Sequence, residues 1–255
     1  MEIRRLIRAL GRLCPLNDSE DWDFPGYQEG PKNVTRPVCR IALCLDLLPE
    51  VIPLLSDRVP DLILTHHPFY FGNRKEILQD FPWKEDIRRF LVENELPVYS
   101  YHTCFDKAKG GMNDSLLQAM GLKAESVEDD PYLRIAEVDD SNMEELICEV
   151  KKAFDLESVS YLSSNDKPIR RIGLIGGGAT GLYPSAVLHH CDCFLSGDSS
   201  HHQRIEMRES GLNYIELPHE CEEKGFLIGM ERFLRSIDSR LEILPLRVQK
   251  PLERS

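Results

Sequence analysis

The chain has 255 residues, 42% of them apolar, which is enough for one large or two small packed domains. Its 31 basic and 43 acidic residues give a formal charge of -12, a balance that excludes a general binder of nucleic-acid backbones. The eight cysteines include no C-x-x-C pair, and with no secretory signal the thiols are expected to be reduced and the protein cytoplasmic.

In chain order, Glu2 to Leu10 is basic and amphipathic and predicts a surface helix rather than a membrane span. A Pro, Gly and Asp-rich loop from Pro15 to Pro37 follows. Then come a strand from Cys39 to Leu45, a helix over about Pro49 to Ser56, and a strand Asp61 to Thr65 that ends in His66-His67-Pro68. A helix over Trp83 to Glu93 leads to a strand Val98 to Tyr101, which ends in His102-x-x-x-Asp106. Asn113 and Asp114 are expected to cap a helix that Gly121 terminates, and Ser141-Asn-Met-Glu144 reads as a capping box opening a helix to about Phe154. Strands Arg171 to Ile175, Asp192 to Leu195 and Tyr214 to Leu217 complete an α/β pattern, the last ending in His219-x-x-x-Glu223.

The pattern repeats. A shift of 131 residues lays Arg40-Ile-Ala-Leu43 over Arg171-Ile-Gly-Leu174, and Asp61-Leu-Ile-Leu-Thr65 over Asp192-Cys-Phe-Leu-Ser196. The reading is therefore α/β with two similar half-domains, residues 1–123 and 168–255, facing each other across a metal cleft and joined by a connecting segment 124–167. Loops at the carboxyl ends of strands are where α/β sheets place ligands, so imidazoles and carboxylates collected there suggest a mixed nitrogen and oxygen site for divalent transition metals. Adjacent strand residues point to opposite faces, so His66 and His67 can share a site only where the strand has ended, which Pro68 favours. Asp106 and Glu223 each lie four positions beyond a histidine, one turn if the segment is helical. Cys191-x-Cys193 is expected to be packed, and His189-His190 to end a helix. His201-His202 is either functional or the start of a helix capped by Asp198 or Ser199.

A rival pattern is Gly176-Gly-Gly-Ala-Thr-Gly181, which fits G-x-G-x-x-G after a strand with Asp198 about 20 residues on, the dinucleotide fingerprint. It keeps a nicotinamide-dependent oxidoreductase as an alternative. The other reading of the run is a tight turn that lets backbone approach a phosphate or a metal cleft closely.

With these residues in view the chain resembles the NIF-three-like family, whose members are often labelled GTP cyclohydrolase 1 type 2 homologues. The resemblance rests on Glu20-Asp21-Trp22-Asp23 to Gly26, Thr65-His66-His67-Pro68, His102-Thr103-Cys104-Phe105-Asp106, Gly176-Gly177-Gly178, Ser196-Gly197-Asp198 with His202, and His219 to Glu223. It implies a dinuclear centre ligated by His66, His67, Asp106, His219 and Glu223, two divalent ions (iron, zinc, manganese or nickel), and a homohexamer. A two-metal centre of this kind leads to the expectation of metal-dependent hydrolysis of a small-molecule substrate, with His102, His202 or Glu220 moving protons. A non-catalytic metal-handling or regulatory role is the alternative. The chain departs from the family at Glu220 and Glu222, where an aromatic residue and a small hydroxyl residue are usual.

Overall fold

The computed structural model describes residues 1–32 and 35–247. Two residues of the expected Pro15 to Pro37 loop and the last eight of the expected second half lie outside them. The described chain is a mixed α/β protein with ten α-helices and two sheets, and it divides into two units. Among the described residues, one unit takes Met1–Ala108 and those from Phe226 to 247, and the other takes Lys109–Gly225.

The strands are β1 Gly26–Glu29, β2 Arg40–Cys44, β3 Leu62–Thr65, β4 Val98–Ser100, β5 Glu125–Ser126, β6 Arg134–Ser141, β7 Ser160–Leu162, β8 Ile169–Leu174, β9 Cys193–Ser196, β10 Asn213–Glu216 and β11 Glu242–Pro245. The first unit holds a sheet ordered β1-β4-β3-β2-β11, parallel except for β1. β2 and β3 are almost wholly buried, as parallel strands covered on both faces must be. Their apolar residues pack with Val51, Leu55, Ile87 and Leu91 from the helices Val51–Asp57 and Trp83–Glu93. The second unit holds a sheet ordered β5-β6-β8-β9-β10-β7, in which β8, β9 and β10 are parallel and the rest antiparallel.

The repeat holds at the level of single atoms. Ile41 pairs with Leu62 in the first sheet, and Ile172 pairs with Cys193 in the second, each position shifted by 131. Asp61 Oδ2 accepts the backbone N–H groups of Cys39 and Arg40 at 2.8 and 2.9 Å, and Asp192 Oδ2 accepts those of Arg170 and Arg171 at 2.9 Å each. One aspartate thus holds the entry to the first parallel strand in each unit.

The observed divisions differ from the expected ones in two places. Residues 124–167 are not only a connection: β5, β6 and β7 lie within them and extend the second sheet on both sides. Their outer positions are exposed, so they lack the continuous apolar run that marks a central strand. β11, expected in the second half, joins the first sheet beside β2.

Local capping also shifts. Asn142, not Ser141, is the N-cap of the helix Met143–Phe154, because β6 runs through Ser141 and the reciprocal partner is Glu145. Asn113 and Asp114 lie inside the helix Met112–Ala119 instead of capping it. Asn113 accepts the Gly176 N–H at 2.8 Å, and Asp114 pairs with the buried Arg134 at 2.6 Å. Ser200, rather than Asp198 or Ser199, caps the helix His201–Glu209. All eight cysteines are free. Cys191 and Cys193 are buried, and desolvation pushes the Cys191 thiol up to about 12 and that of Cys193 upward too, as for packed rather than metal-bound sulfur. Among the described residues no helix is long and apolar enough to cross a membrane.

Candidate metal centre

In the first unit the donor groups gather where β3 and β4 end. β3 stops at Thr65, and beyond it the His66 and His67 N–H groups still bond to Cys44 and Leu45 carbonyls while the two rings come to 4.9 Å between centroids. The Thr65 and Ser100 hydroxyls lie 2.6 Å apart and 2.8 and 3.2 Å from the His67 carbonyl, so one donates to the other and the other to the carbonyl, which fixes the backbone under the pair. β4 stops at Ser100, and His102 is the residue before the helix Thr103–Lys107. The His102 to Asp106 spacing is therefore a turn of real helix. His66, His67 and His102 each offer a ring nitrogen within 4.8 Å of the others, and His66 Nε2 lies 3.5 Å from Asp106 Oδ1.

What would fit these rings for ligation is the partner on the other nitrogen. His66 Nδ1 is 2.9 Å from the Tyr101 carbonyl, which can only accept, so Nδ1 carries the proton and Nε2 presents a lone pair toward the Asp106 carboxylate. Two acceptors facing one another at that distance call for a cation or a proton between them. His67 Nδ1 is held by Asp46 at 2.9 Å and His102 Nδ1 by Asp23 at 2.8 Å, an arrangement that sets the tautomer and raises the basicity of Nε2. The donor set fits a divalent transition ion.

Asp23 also accepts the N–H and the hydroxyl of Thr103 at 3.1 and 2.6 Å. Burial works against its ionisation, but the hydrogen bonds from His102 and Thr103 outweigh it and hold the carboxyl at about 2. A depressed carboxyl pKa stabilises the fold above the unfolded value, near 3.9, and that stabilisation is lost as pH falls through the folded value. Asp23→Asn is expected to cost about 2 kcal/mol at pH 7. The difference from wild type should close between about pH 4 and 2 in urea unfolding across that range.

In the second unit His219 opens a short 3-10 turn, His219–Cys221, which leads into the helix Glu222–Ile237. Side chains three apart superpose on a 3-10 turn, which puts Glu222 beside His219, with Oε2 at 3.1 Å from Nε2. The expected Glu223, a residue further on, is in no described group of metal-ligating atoms, and neither are His202 and Glu220. His202 is exposed on the first turn of its helix, and Glu220 lies within the 3-10 turn. His219 Nδ1 is held by Asp198 Oδ2 at 2.6 Å, again leaving Nε2 as the working nitrogen. Asp23 and Asp198 belong to segments that carry the resemblance, but nothing in the sequence ties Asp23, Asp46 or Asp198 to a histidine 79, 21 or 21 residues away.

The glycine run serves these carboxylates. Gly177 has φ +64°, and a Cβ there would sit 2.7 Å from Glu222 Oε1; a Cβ at Gly178 would sit 3.2 Å from Asp198 Oδ2. The backbone approach needed for a pyrophosphate is taken by Glu222, a negative group itself. The helix that follows, Tyr183–Leu188, has six residues and begins only after a 3-10 turn. The dinucleotide reading loses its seat, and the close-approach reading explains the glycines.

A model of the Duf34/NIF3 (NGG1p interacting factor 3) family matches residues 1–251. A Clostridium perfringens protein named GTP cyclohydrolase 1 type 2 homolog is 28% identical over 96% of this chain and 95% of its own length. A Helicobacter pylori protein named GTP cyclohydrolase 1 type 2 is 24% identical over 92% of this chain and 93% of its own. The crystal structure of a Bacillus cereus protein related to NIF3 has a TM-score of 0.87 with 16% identity, covering 100% of this chain and 99% of that one; at that identity it speaks for the fold. The whole-chain family match, the fold and the strand-end histidines agree: the chain belongs to the Duf34/NIF3 family.

Proposed function

We propose that this protein binds two divalent metal ions and acts as a metal-dependent hydrolase, as the name carried by its curated relatives suggests. The observation that carries the reading is the trio of imidazoles His66, His67 and His102, each with Nδ1 tied to an oxygen, together with Asp106 beside His66. His66, His67 and Asp106 are the proposed donors of the first unit. His219 with a neighbouring carboxylate, Glu222 by geometry or Glu223 by motif, is the donor set of the second.

A bound divalent ion lowers the pKa of water from about 15.7 toward about 7 and so supplies hydroxide at neutral pH. His102 Nε2 is the atom proposed to take and return a proton, because the Asp23 carboxylate on Nδ1 both orients the ring and stabilises its protonated form. His202 and Glu220 are secondary candidates for the same task. The test is a panel of ring-opening, phosphoester and amide substrates, GTP included, run with protein loaded with manganese, iron or zinc. Turnover that requires metal and falls at least about a hundred-fold in His102→Ala supports the reading, in keeping with general acid-base contributions. Metal binding without turnover on any substrate, with transfer of the ion to an acceptor protein, replaces it with a metal-handling role.

A further inference from the structure

Three large aromatic side chains are left in solvent around His102. Trp22, Phe24 and Phe71 are 55%, 42% and 47% exposed, although Phe69 and Tyr70, next to Phe71, are buried. The Trp22 ring lies 6.0 Å from that of Phe71 and 6.0 Å from that of His102, and Phe71 lies 6.0 Å from His102 and 5.5 Å from Phe24. A contiguous exposed apolar patch beside a chemically equipped site calls for an occupant.

The patch is held in place by buried polar ties. The Gln28 side chain, 6% exposed, donates to the Phe24 carbonyl at 2.8 Å and accepts the Tyr70 N–H at 3.0 Å, so it joins the two loops that carry the aromatics. On the other side of Trp22, the Glu20 N–H donates to Thr103 Oγ1 at 3.0 Å, and that hydroxyl donates to Asp23 at 2.6 Å. Loops tied in this way lose little freedom when something stacks on the rings they carry.

We infer that Trp22 and Phe71 form a stacking seat for a planar heteroaromatic ring of the substrate, beside His102. This deepens the hydrolase reading and rests on it. The two rings are tilted by 42°, and His102 stands at 76° and 80° to them, so a ring stacked parallel to either lies steeply across the plane of the imidazole. With Nδ1–H given to Asp23, His102 Nε2 accepts, which selects a ring with N–H groups on its edge over a plain hydrocarbon. Stacking supplies sequence-tolerant affinity for any flat π-system, and the edge supplies the choice among them.

The chain has two tryptophans, so Trp83→Phe leaves Trp22 as the sole indole reporter. The probe is guanosine, with ribose as the non-aromatic control, titrated into this variant both stripped of metal and loaded with manganese. The expected result is a saturable loss of Trp22 emission with guanosine and none with ribose. Phe71→Ala should raise the half-saturating concentration about ten-fold while the fold is retained. Quenching that stays linear and equals that of free N-acetyltryptophanamide overturns the seat. So does Trp22 emission that follows protein concentration and self-association instead of guanosine, which assigns the patch to a second copy of the chain. Saturation in metal-free protein combined with no turnover across the substrate panel keeps the seat and removes the hydrolase reading; turnover without saturation removes the seat alone.

Discussion

Replacing His66 with alanine is expected to lower divalent-metal affinity by more than the roughly 10–100-fold that loss of an outer hydrogen-bond partner costs. His66 is fully buried, its Nδ1 is committed to the Tyr101 carbonyl, and its Nε2 faces Asp106 at 3.5 Å, so no neighbouring imidazole can take over its position. The same change deletes a ring packed 5.6 Å from Phe226 and 6.4 Å from Phe105, and it strips the Tyr101 carbonyl of its donor. A stability loss of about 2–4 kcal/mol should accompany the metal loss. His67→Ala separates the two effects. That side chain is 21% exposed and held by Asp46, so metal affinity should fall with about 1 kcal/mol or less of stability. Isothermal titration with manganese and urea unfolding of the metal-free variants measure both quantities.

The largest purely structural effect is expected at Arg134. It is 2% exposed, pairs with Asp114 at 2.6 Å, and donates to the carbonyls of Pro131 and Leu133 at 2.9 and 3.1 Å. Arg134→Ala leaves the Asp114 carboxylate without its cation and those carbonyls without their donor, which should cost about 3–5 kcal/mol. For a chain of this size that is a fall in Tm of about 10 °C or more. Arg134→Met with Asp114→Leu should recover much of the loss, since a matched apolar pair can replace a buried ion pair at little net cost. Thermal unfolding followed by circular dichroism reads all three. A double variant no more stable than Arg134→Ala would show that the carbonyl contacts, not the ion pair, hold β6 against the helix Met112–Ala119.

The parts of the fold legible in the sequence are those with a short-range signature. The aspartates at the entry of both parallel strand pairs carried the repeat because each answers the same local need, two backbone N–H groups at a strand start. The histidines were legible because they sit where apolar strands end. β5, β6, β7 and β11 were not placed, since a strand at a sheet margin carries a polar face and its partner is chosen by tertiary pairing. The carboxylate beside His219 shows the same limit on a smaller scale. A four-residue spacing names Glu223 and gives no sign of Glu222, which the 3-10 turn His219–Cys221 brings against the imidazole. Glu222 is one of the two positions at which the chain departs from the family pattern, and the glycines at 176 and 177 leave the space its carboxylate fills.

Whether the strand-end histidines are metal ligands can be read by crystallising the protein as purified from its native cells and recording anomalous diffraction on either side of the iron, zinc and manganese edges. Anomalous peaks are expected within bonding distance of His66 Nε2 and His67 Nε2, with Asp106 as an oxygen ligand. Full-length protein with no anomalous peak at these nitrogens, both as purified and after soaking in each metal, would contradict that expectation.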